Sequence, residues 1–179
     1  MARRGITGPD TGGEIGIRLA DAHDRDRIFE LLREAAVWLR ERDIDYWQNW
    51  HEPPPLHRQW VDDGISSGQF RVVERRGRPI GCLRLQDSDE LFWGVRDEPA
   101  VYVHSLTIDR SRAGQGIGER VLSLVEVQAA AAGARFVRLD CGVAAAGLRR
   151  YYEAHGFFPV GETEVDGEAL VLYEKTISR

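Results

Sequence analysis

Ile108-Asp-Arg-Ser-Arg-Ala-Gly-Gln-Gly-Ile-Gly-Glu119 joins a β-rich run to a helical one, and three alternating glycines stand at the junction. Upstream, Ala100 to Ile108 is dense in β-branched and aromatic residues and predicts a strand. Downstream, an apolar helix is expected from about Gly116 to Ala132, with Gly133 as its stop. Glycines at such a junction let backbone N–H groups approach an anion without Cβ obstruction. The helix N-terminus adds about half a positive charge at the same place. The stretch therefore predicts a phosphate cradle made of backbone, which a protein without a basic surface can still possess.

Two familiar phosphate-binding patterns fail on their residues. A P-loop requires Lys and then Ser or Thr after its last glycine, where this chain has Glu119-Arg120. A dinucleotide fingerprint requires a third glycine three residues after the second, and Glu119 occupies that position. A glycine turn used only for packing is the remaining plain alternative.

Working outward, a strand is expected over Glu14 to Leu19. A helix follows, begun by Asp21 and Asp24 and carrying Ile28, Leu31, Leu32, Ala35, Ala36 and Leu39 at helical spacing. An aromatic segment from Asp45 to Pro55 leads to a second helix, Leu56 to Asp63, expected to end before Gly64. Gln69 to Glu74 and Ile80 to Gln86 pair across Arg75-Arg-Gly-Arg78. Past the glycine turn come a strand at Phe136 to Cys141 and a helix at Leu148 to His155. A last hairpin, Phe158 to Val165 with Ala169 to Thr176, turns on Asp166-Gly167. Residues 1–13 read as a flexible glycine-rich tail and 14–179 as one domain, with helices on both faces of a mixed sheet.

Composition narrows the function. With 179 residues, 42% hydrophobic and 30% charged, the chain has ordinary globular make-up. Its formal charge of −5 disfavours a nucleic-acid binder and suits a cationic partner. No apolar run approaches the roughly 20 residues that span a bilayer. Two cysteines, Cys82 and Cys141, make neither a disulfide framework nor a zinc pair. No metal and a cytoplasmic location are the expectations.

The strand Val101-Tyr-Val-His-Ser-Leu-Thr-Ile108, the turn Gly114-Gln-Gly-Ile-Gly118 and the helix Leu148-Arg-Arg-Tyr-Tyr-Glu-Ala-His-Gly-Phe157 together resemble the GNAT superfamily of N-acetyltransferases. The resemblance covers nearly everything from Ile17 to Thr176. It implies an α/β (α+β) fold with a mixed, mostly antiparallel sheet whose strands 4 and 5 splay apart. It also implies acetyl-CoA as co-substrate, with its pantetheine arm between Leu106 and Cys141. The implied CoA contacts are Leu106, Thr107, Ile108, Arg112, Ala113, Gly114, Gln115, Gly116, Ile117, Gly118 and Glu119. Two positions depart from the family pattern: Ala113 stands for the usual Gln or Arg, and Ala145 for a common Asn. Both departures remove side-chain contacts and leave the backbone cradle.

Acetyl transfer to an amine needs the amine neutral. For a lysine-like amine at pH 7 that costs about 4.6 kcal/mol, so a base is useful. His104 is the candidate base, expected to share a strand face with Tyr102 and Leu106. Water activated by Glu41, Asp43 or Asp45 is the competing source. Tyr152 matches the family tyrosine near the CoA sulfur and is the candidate general acid, while Tyr151 reads as packing. Tyr46, Trp47 and Trp50, with Tyr102, are the candidate acceptor-binding residues, with Trp93 a further contributor. Cys141 reads as a small buried residue, not a nucleophile. The expectation is an N-acetyltransferase acting on the primary amine of a small molecule, with homodimer formation left open. The alternatives are a non-catalytic acetyl-CoA sensor and an acetyltransferase of proteins or other macromolecules.

Overall fold

A computed structural model describes residues 15–177, so the expected tail and Glu14 lie outside the described residues. Seven strands form one sheet in the order β1-β2-β3-β4-β5-β7-β6. They are β1 (Ile15–Leu19), β2 (Phe70–Arg75), β3 (Arg78–Gln86), β4 (Ala100–Ile108), β5 (Phe136–Gly142), β6 (Phe158–Val165) and β7 (Glu168–Thr176). Every neighbouring pair is antiparallel except β4 with β5. The helices are α1 (Arg25–Arg40), α2 (Pro55–Ser66), the single turn α3 (Glu90–Trp93), α4 (Ile117–Ala131) and α5 (Ala146–Ala154).

Both faces of the sheet are covered. Ile28, Leu31, Leu32 and Ala36 of α1 and Val61 of α2 pack on Phe70, Val72 and Cys82. On the opposite face, Ile117, Val121, Leu122 and Val125 of α4, with Tyr152 and Phe157, pack on Val73, Leu83, Val103, Val137, Leu139 and Cys141. The alternation in β5 follows from this. Val137, Leu139 and Cys141 face α4, so Arg138 and Asp140 must face the α1–α2 side of a sheet that is also covered there.

Asp21 caps not α1 itself but the single 3-10 turn Ala22–Asp24 that leads into it, with His23 N–H donating to Asp21 Oδ1 at 2.9 Å and Asp21 N–H to Asp24 Oδ2 at 2.8 Å. Asp24 stands at the head of α1, where its side chain makes no cap bond to that helix. The final hairpin also forms as expected, with φ of 52° at Asp166 and 81° at Gly167, the signs a tight type I′ turn requires. Gly64 is a correction. It lies inside α2 and does not end it, because a Cβ there would sit 2.6 Å from the Phe70 ring. The glycine permits close approach of helix to strand. The turn α3 was not expected from sequence; Asp89 caps it, accepting from Phe92 N–H at 3.4 Å.

Two irregularities open the centre of the sheet. The rungs between β4 and β5 end at Val103–Leu139, whereas β5 stays paired with β7 as far as Gly142–Leu170. At the same place β4 carries a bulge: Cys82 pairs with Thr107 but Arg84 pairs with His104, leaving two residues of β4 opposite Leu83. Ser105 adopts φ of 54° to make it, a conformation rare for a residue with a side chain. The bulge reverses parity, so Leu106 and Ile108 join Val103 against the α4 core. The expected shared face of Tyr102, His104 and Leu106 is thereby corrected: the first two share a face and Leu106 does not.

Candidate active site

The fork between β4 and β5 is the centre of a cavity of about 780 Å³. Along β4 it is bordered by His104, Ser105, Leu106, Thr107 and Ile108. Asp109 N–H donates to Ile80 C=O at 2.8 Å, which fixes the odd-numbered residues here as those bonding to β3. The backbone groups of Leu106 and Ile108 therefore point into the fork, where β5 supplies no rung. They are placed to bond an extended chain entering between the strands.

Beyond Ile108 the chain reaches the glycine turn. Gly114 and Gly116 have φ of 74° and 69°, and a Cβ on either would meet open space; the backbone conformation, not crowding, requires glycine. Arg120 N–H makes the first helical bond, to Gly116 C=O at 3.2 Å. The N–H groups of Ile117, Gly118 and Glu119 consequently have no acceptor within the helix. Gly118 is different: a Cβ there would lie 2.7 Å from the Tyr151 hydroxyl, so the glycine admits that ring beside the turn. Ala113 and Gln115 are exposed, and Gln115 accepts from Arg75 at 3.0 Å. Arg112 is half-buried, and its Nε has no hydrogen-bond partner among the described residues.

On the other side of the fork the cavity widens against Tyr46, Trp47, Trp50 and Trp60, with Phe92 and Leu170. Trp47 holds φ of 64°, which turns the connection between α1 and α2 back over the sheet. Tyr46 lies flat against Gly142, where an added Cβ would meet its ring at 2.7 Å. We expect Gly142→Ala to lose about 1–3 kcal/mol of stability in a urea titration, because Tyr46 is buried and has little room to yield.

The carboxylates of this chamber are not those expected. Glu41, Asp43 and Asp45 are exposed and do not border the cavity, whereas Asp63, Asp140, Asp166 and Glu168 do. Tyr102 is likewise displaced from its expected role. It is 3% exposed, packs on Trp93 at 5.7 Å and bonds Arg138 through its hydroxyl at 2.8 Å, outside the cavity. Trp93 is buried in that same cluster.

His104 and Asp140 are the first residues past the last β4–β5 rung, one on each strand and on the same face. Their approach, Nδ1 to Oδ2, is 3.7 Å, and Asp89 Oδ2 lies 3.1 Å from Nε2 on the ring's other side. Asp140 is pushed up to about 6, chiefly by burial; His104 opposes the rise, and the nearby Asp89 and Glu168 add to it. Sequence reasoning did not select Asp89 or Asp140.

Tyr152 borders the cavity from the α4 side of the sheet, beside Cys141. Its hydroxyl has no hydrogen-bond partner among the described residues, and burial pushes its pKa well above the ordinary phenol value. The Cys141 thiol is fully buried and pushed up to about 12, chiefly by burial and then by Asp140. A thiolate nucleophile is thus disfavoured at this position. The cavity therefore runs through the sheet, with a tyrosine on one side of the fork and an imidazole–carboxylate pair on the other.

Comparison with known proteins agrees with this geometry. The chain is 28% identical over 160 residues to an uncharacterised N-acetyltransferase, YesJ, of Bacillus subtilis strain 168, covering 87% of this chain and 86% of YesJ. A GNAT-family acetyltransferase structure from Listeria monocytogenes superposes with a TM-score of 0.75 at 23% identity, over 96% of this chain and 99% of that one. The structure of AAC(6')-Ib in complex with ribostamycin and coenzyme A gives 0.70 at 20% identity, over 90% and 93% of the two chains. Residues 25–157 match the profile of the Acetyltransferase (GNAT) family, and since that stretch holds the glycine turn, the fork and Tyr152 together, the chain belongs to it.

Proposed function

We propose that this GNAT enzyme transfers the acetyl group of acetyl-CoA to the primary amine of a small cationic molecule in the cytoplasm. The observation that carries the reading is the single cavity threading the β4–β5 fork, with open strand backbone leading to the glycine turn at one end and an aromatic, carboxylate-bearing chamber at the other. Acetyl-CoA fits the first end by its chemistry. A pantetheine amide chain needs strand-like partners, which Leu106 and Ile108 offer, and a pyrophosphate needs clustered N–H donors, which the start of α4 offers. The absent side chain at Ala113 leaves those donors untouched.

At the other end, rings of Tyr46, Trp47, Trp50 and Trp60 suit a cation flanked by apolar carbon. Asp63, Asp140, Asp166 and Glu168 outnumber Arg110 among the charged residues bordering the cavity. His104 serves as base and Tyr152 as proton donor to the leaving sulfur. The amine nitrogen attacks the thioester carbonyl carbon, the N–C bond forms, the C–S bond breaks, and CoA leaves as the thiol. The neighbour that holds ribostamycin with coenzyme A lends a small-molecule acceptor a precedent on this fold. Both cysteines are free and buried, as suits a reducing compartment, and no helix among the described residues is long and apolar enough to cross a membrane.

The test is thiol release from acetyl-CoA over a panel of small mono- and polyamines, with lysine-containing and free N-terminal peptides alongside. Small cationic amines are expected to turn over at least tenfold more efficiently than either peptide class. CoA binding without turnover on any amine would instead support a sensor. Preference for the peptides would support a protein acetyltransferase.

A further inference from the structure

His104 is bracketed by carboxylates, one facing each ring nitrogen. The three side chains are only 10%, 6% and 8% exposed for His104, Asp89 and Asp140. His104 Nε2, Asp89 Oδ2 and Asp140 Oδ2 are close enough to interact but lack an aligned hydrogen-bond partner among the described residues. Such looseness is usual before substrate arrives. His104 and Asp140 border the cavity, whereas Asp89 stands behind them at the cap of α3.

A metal ion is a poor occupant for this cluster. The three ligand atoms lie within 4.8 Å of one another, but ligands sharing a zinc ion at about 2.1 Å each stand only about 3.4 Å apart. Both carboxylates would also have to converge on one nitrogen, and here they face opposite ones. What the arrangement does suit is a proton.

We propose that Asp140, His104 and Asp89 form a relay in which Asp140 receives the acceptor's ammonium, His104 Nδ1 takes its proton, and Asp89 fixes the imidazole by facing Nε2. This rests on the amine-acetylating reading above and assigns two residues to it. With the Nε2 proton directed at Asp89, the Nδ1 lone pair faces Asp140 and the cavity. An ammonium drawn to Asp140 then lies beside its base. Two protons leave nitrogen in the complete reaction: the first goes to His104 before attack, and the second goes to sulfur as the C–S bond breaks. The imidazolium is held between two carboxylates until product departs and releases its proton to water. Asp140 is thus a catalytic residue, whereas Asp89 acts through His104 and is a positioning residue.

Arg84 of β3 stands within electrostatic reach of Asp89, and Glu168 of β7 within reach of Asp140. Tyr46, Cys141 and Tyr152, which also border Asp140 electrostatically, are pushed upward by burial and stay neutral near pH 7.

Asp89→Asn is the decisive variant, because an asparagine oxygen can keep the α3 cap while the charge is lost. Its kcat is expected to fall about tenfold or more with acetyl-CoA affinity unchanged, and the acid limb of kcat/KM to move to lower pH. Nitrogen NMR of the His104 ring in the free protein should show the Nε2–H tautomer in wild type and a mixture of both tautomers in Asp89→Asn. The same His104 tautomer populations in wild type and Asp89→Asn, or a kcat within twofold, overturn the relay. If wild-type protein acetylates no amine, the functional reading fails, while the acceptor-free tautomer measurement still decides whether Asp89 fixes the imidazole.

Discussion

Asp140→Asn is expected to lower kcat/KM by about 100-fold or more while making the protein more stable at neutral pH. The two effects share a cause. Asp140 lies in the covered centre of the sheet, where burial raises its pKa from 3.8 to about 6, so at pH 7 it is ionised against that penalty. The difference, with the attraction to His104 already counted in it, corresponds to at most about 3 kcal/mol, so the variant should gain about 1–3 kcal/mol. The sign with pH follows from the raised value. Between about pH 4 and 6 the folded wild type binds more protons than the unfolded chain, so its stability falls as pH rises through that window. The variant lacks this slope. The two proteins should therefore melt alike near pH 4 and diverge above pH 6, as calorimetry across that range would record. Activity moves the other way: the wild-type rate should fall as Asp140 takes up its proton near pH 6, and the variant should lack that component of the acid limb. A variant that is both inactive and less stable at pH 7 would mean that Asp140 holds the fold together rather than serving the reaction.

That trade explains why the site was only half legible in the sequence. The glycine turn declares itself locally, since Gly114 and Gly116 need positive φ whatever surrounds them. Helix starts and hairpins are local too: Asp166-Gly167 turns the last hairpin as read, and Asp21 and Asp24 mark where the first helical segment begins, although their capping box sits on the turn before α1. Tyr46, Trp47 and Trp50 reached the cavity because aromatic density beside a proline-broken segment marks a folded-back connection. Asp140 carries no motif. Its signal is contextual: Val137, Leu139 and Cys141 alternate with Arg138 and Asp140 on a central strand covered on both sides, so the polar face is necessarily buried. Arg138 resolves its share with Glu174 at 2.7 Å and Tyr102 at 2.8 Å, whereas Asp140 turns to the cavity. Asp89 was hidden differently, in the acidic stretch Asp87-Ser-Asp-Glu90, which reads as solvated loop. The bulge at Ser105 had no sequence mark, and missing it misassigned Leu106; Tyr102 does share a face with His104, but at the rung below the fork, where Arg138 takes its hydroxyl.

Tyr152→Phe should reduce kcat by about 10–100-fold and leave acetyl-CoA affinity within about twofold. The substitution is clean, because the hydroxyl bonds no group among the described residues and the ring keeps its contacts with Phe157 and Tyr173. Stability should accordingly change by less than about 0.5 kcal/mol. The elevated phenol pKa constrains how the hydroxyl acts. Outright transfer of its proton to a thiolate of ordinary pKa near 8.5 would be uphill by about 2 kcal/mol even for an ordinary phenol, and burial makes it steeper still. A phenol that gives its proton to sulfur while taking one from the attacking nitrogen avoids forming phenolate at all. Nitrogen loses its second proton, sulfur gains one, and Tyr152 ends as it began. The buried, neutral hydroxyl at the fork is suited to that exchange and unsuited to acting as a free acid. Calorimetric binding of acetyl-CoA and single-turnover rates separate the possibilities: equal losses in both would assign Tyr152 to cofactor packing, and a loss confined to the rate assigns it to the sulfur. Because Tyr152 stays protonated through the accessible range, the alkaline limb of the wild-type profile should be the same in the variant.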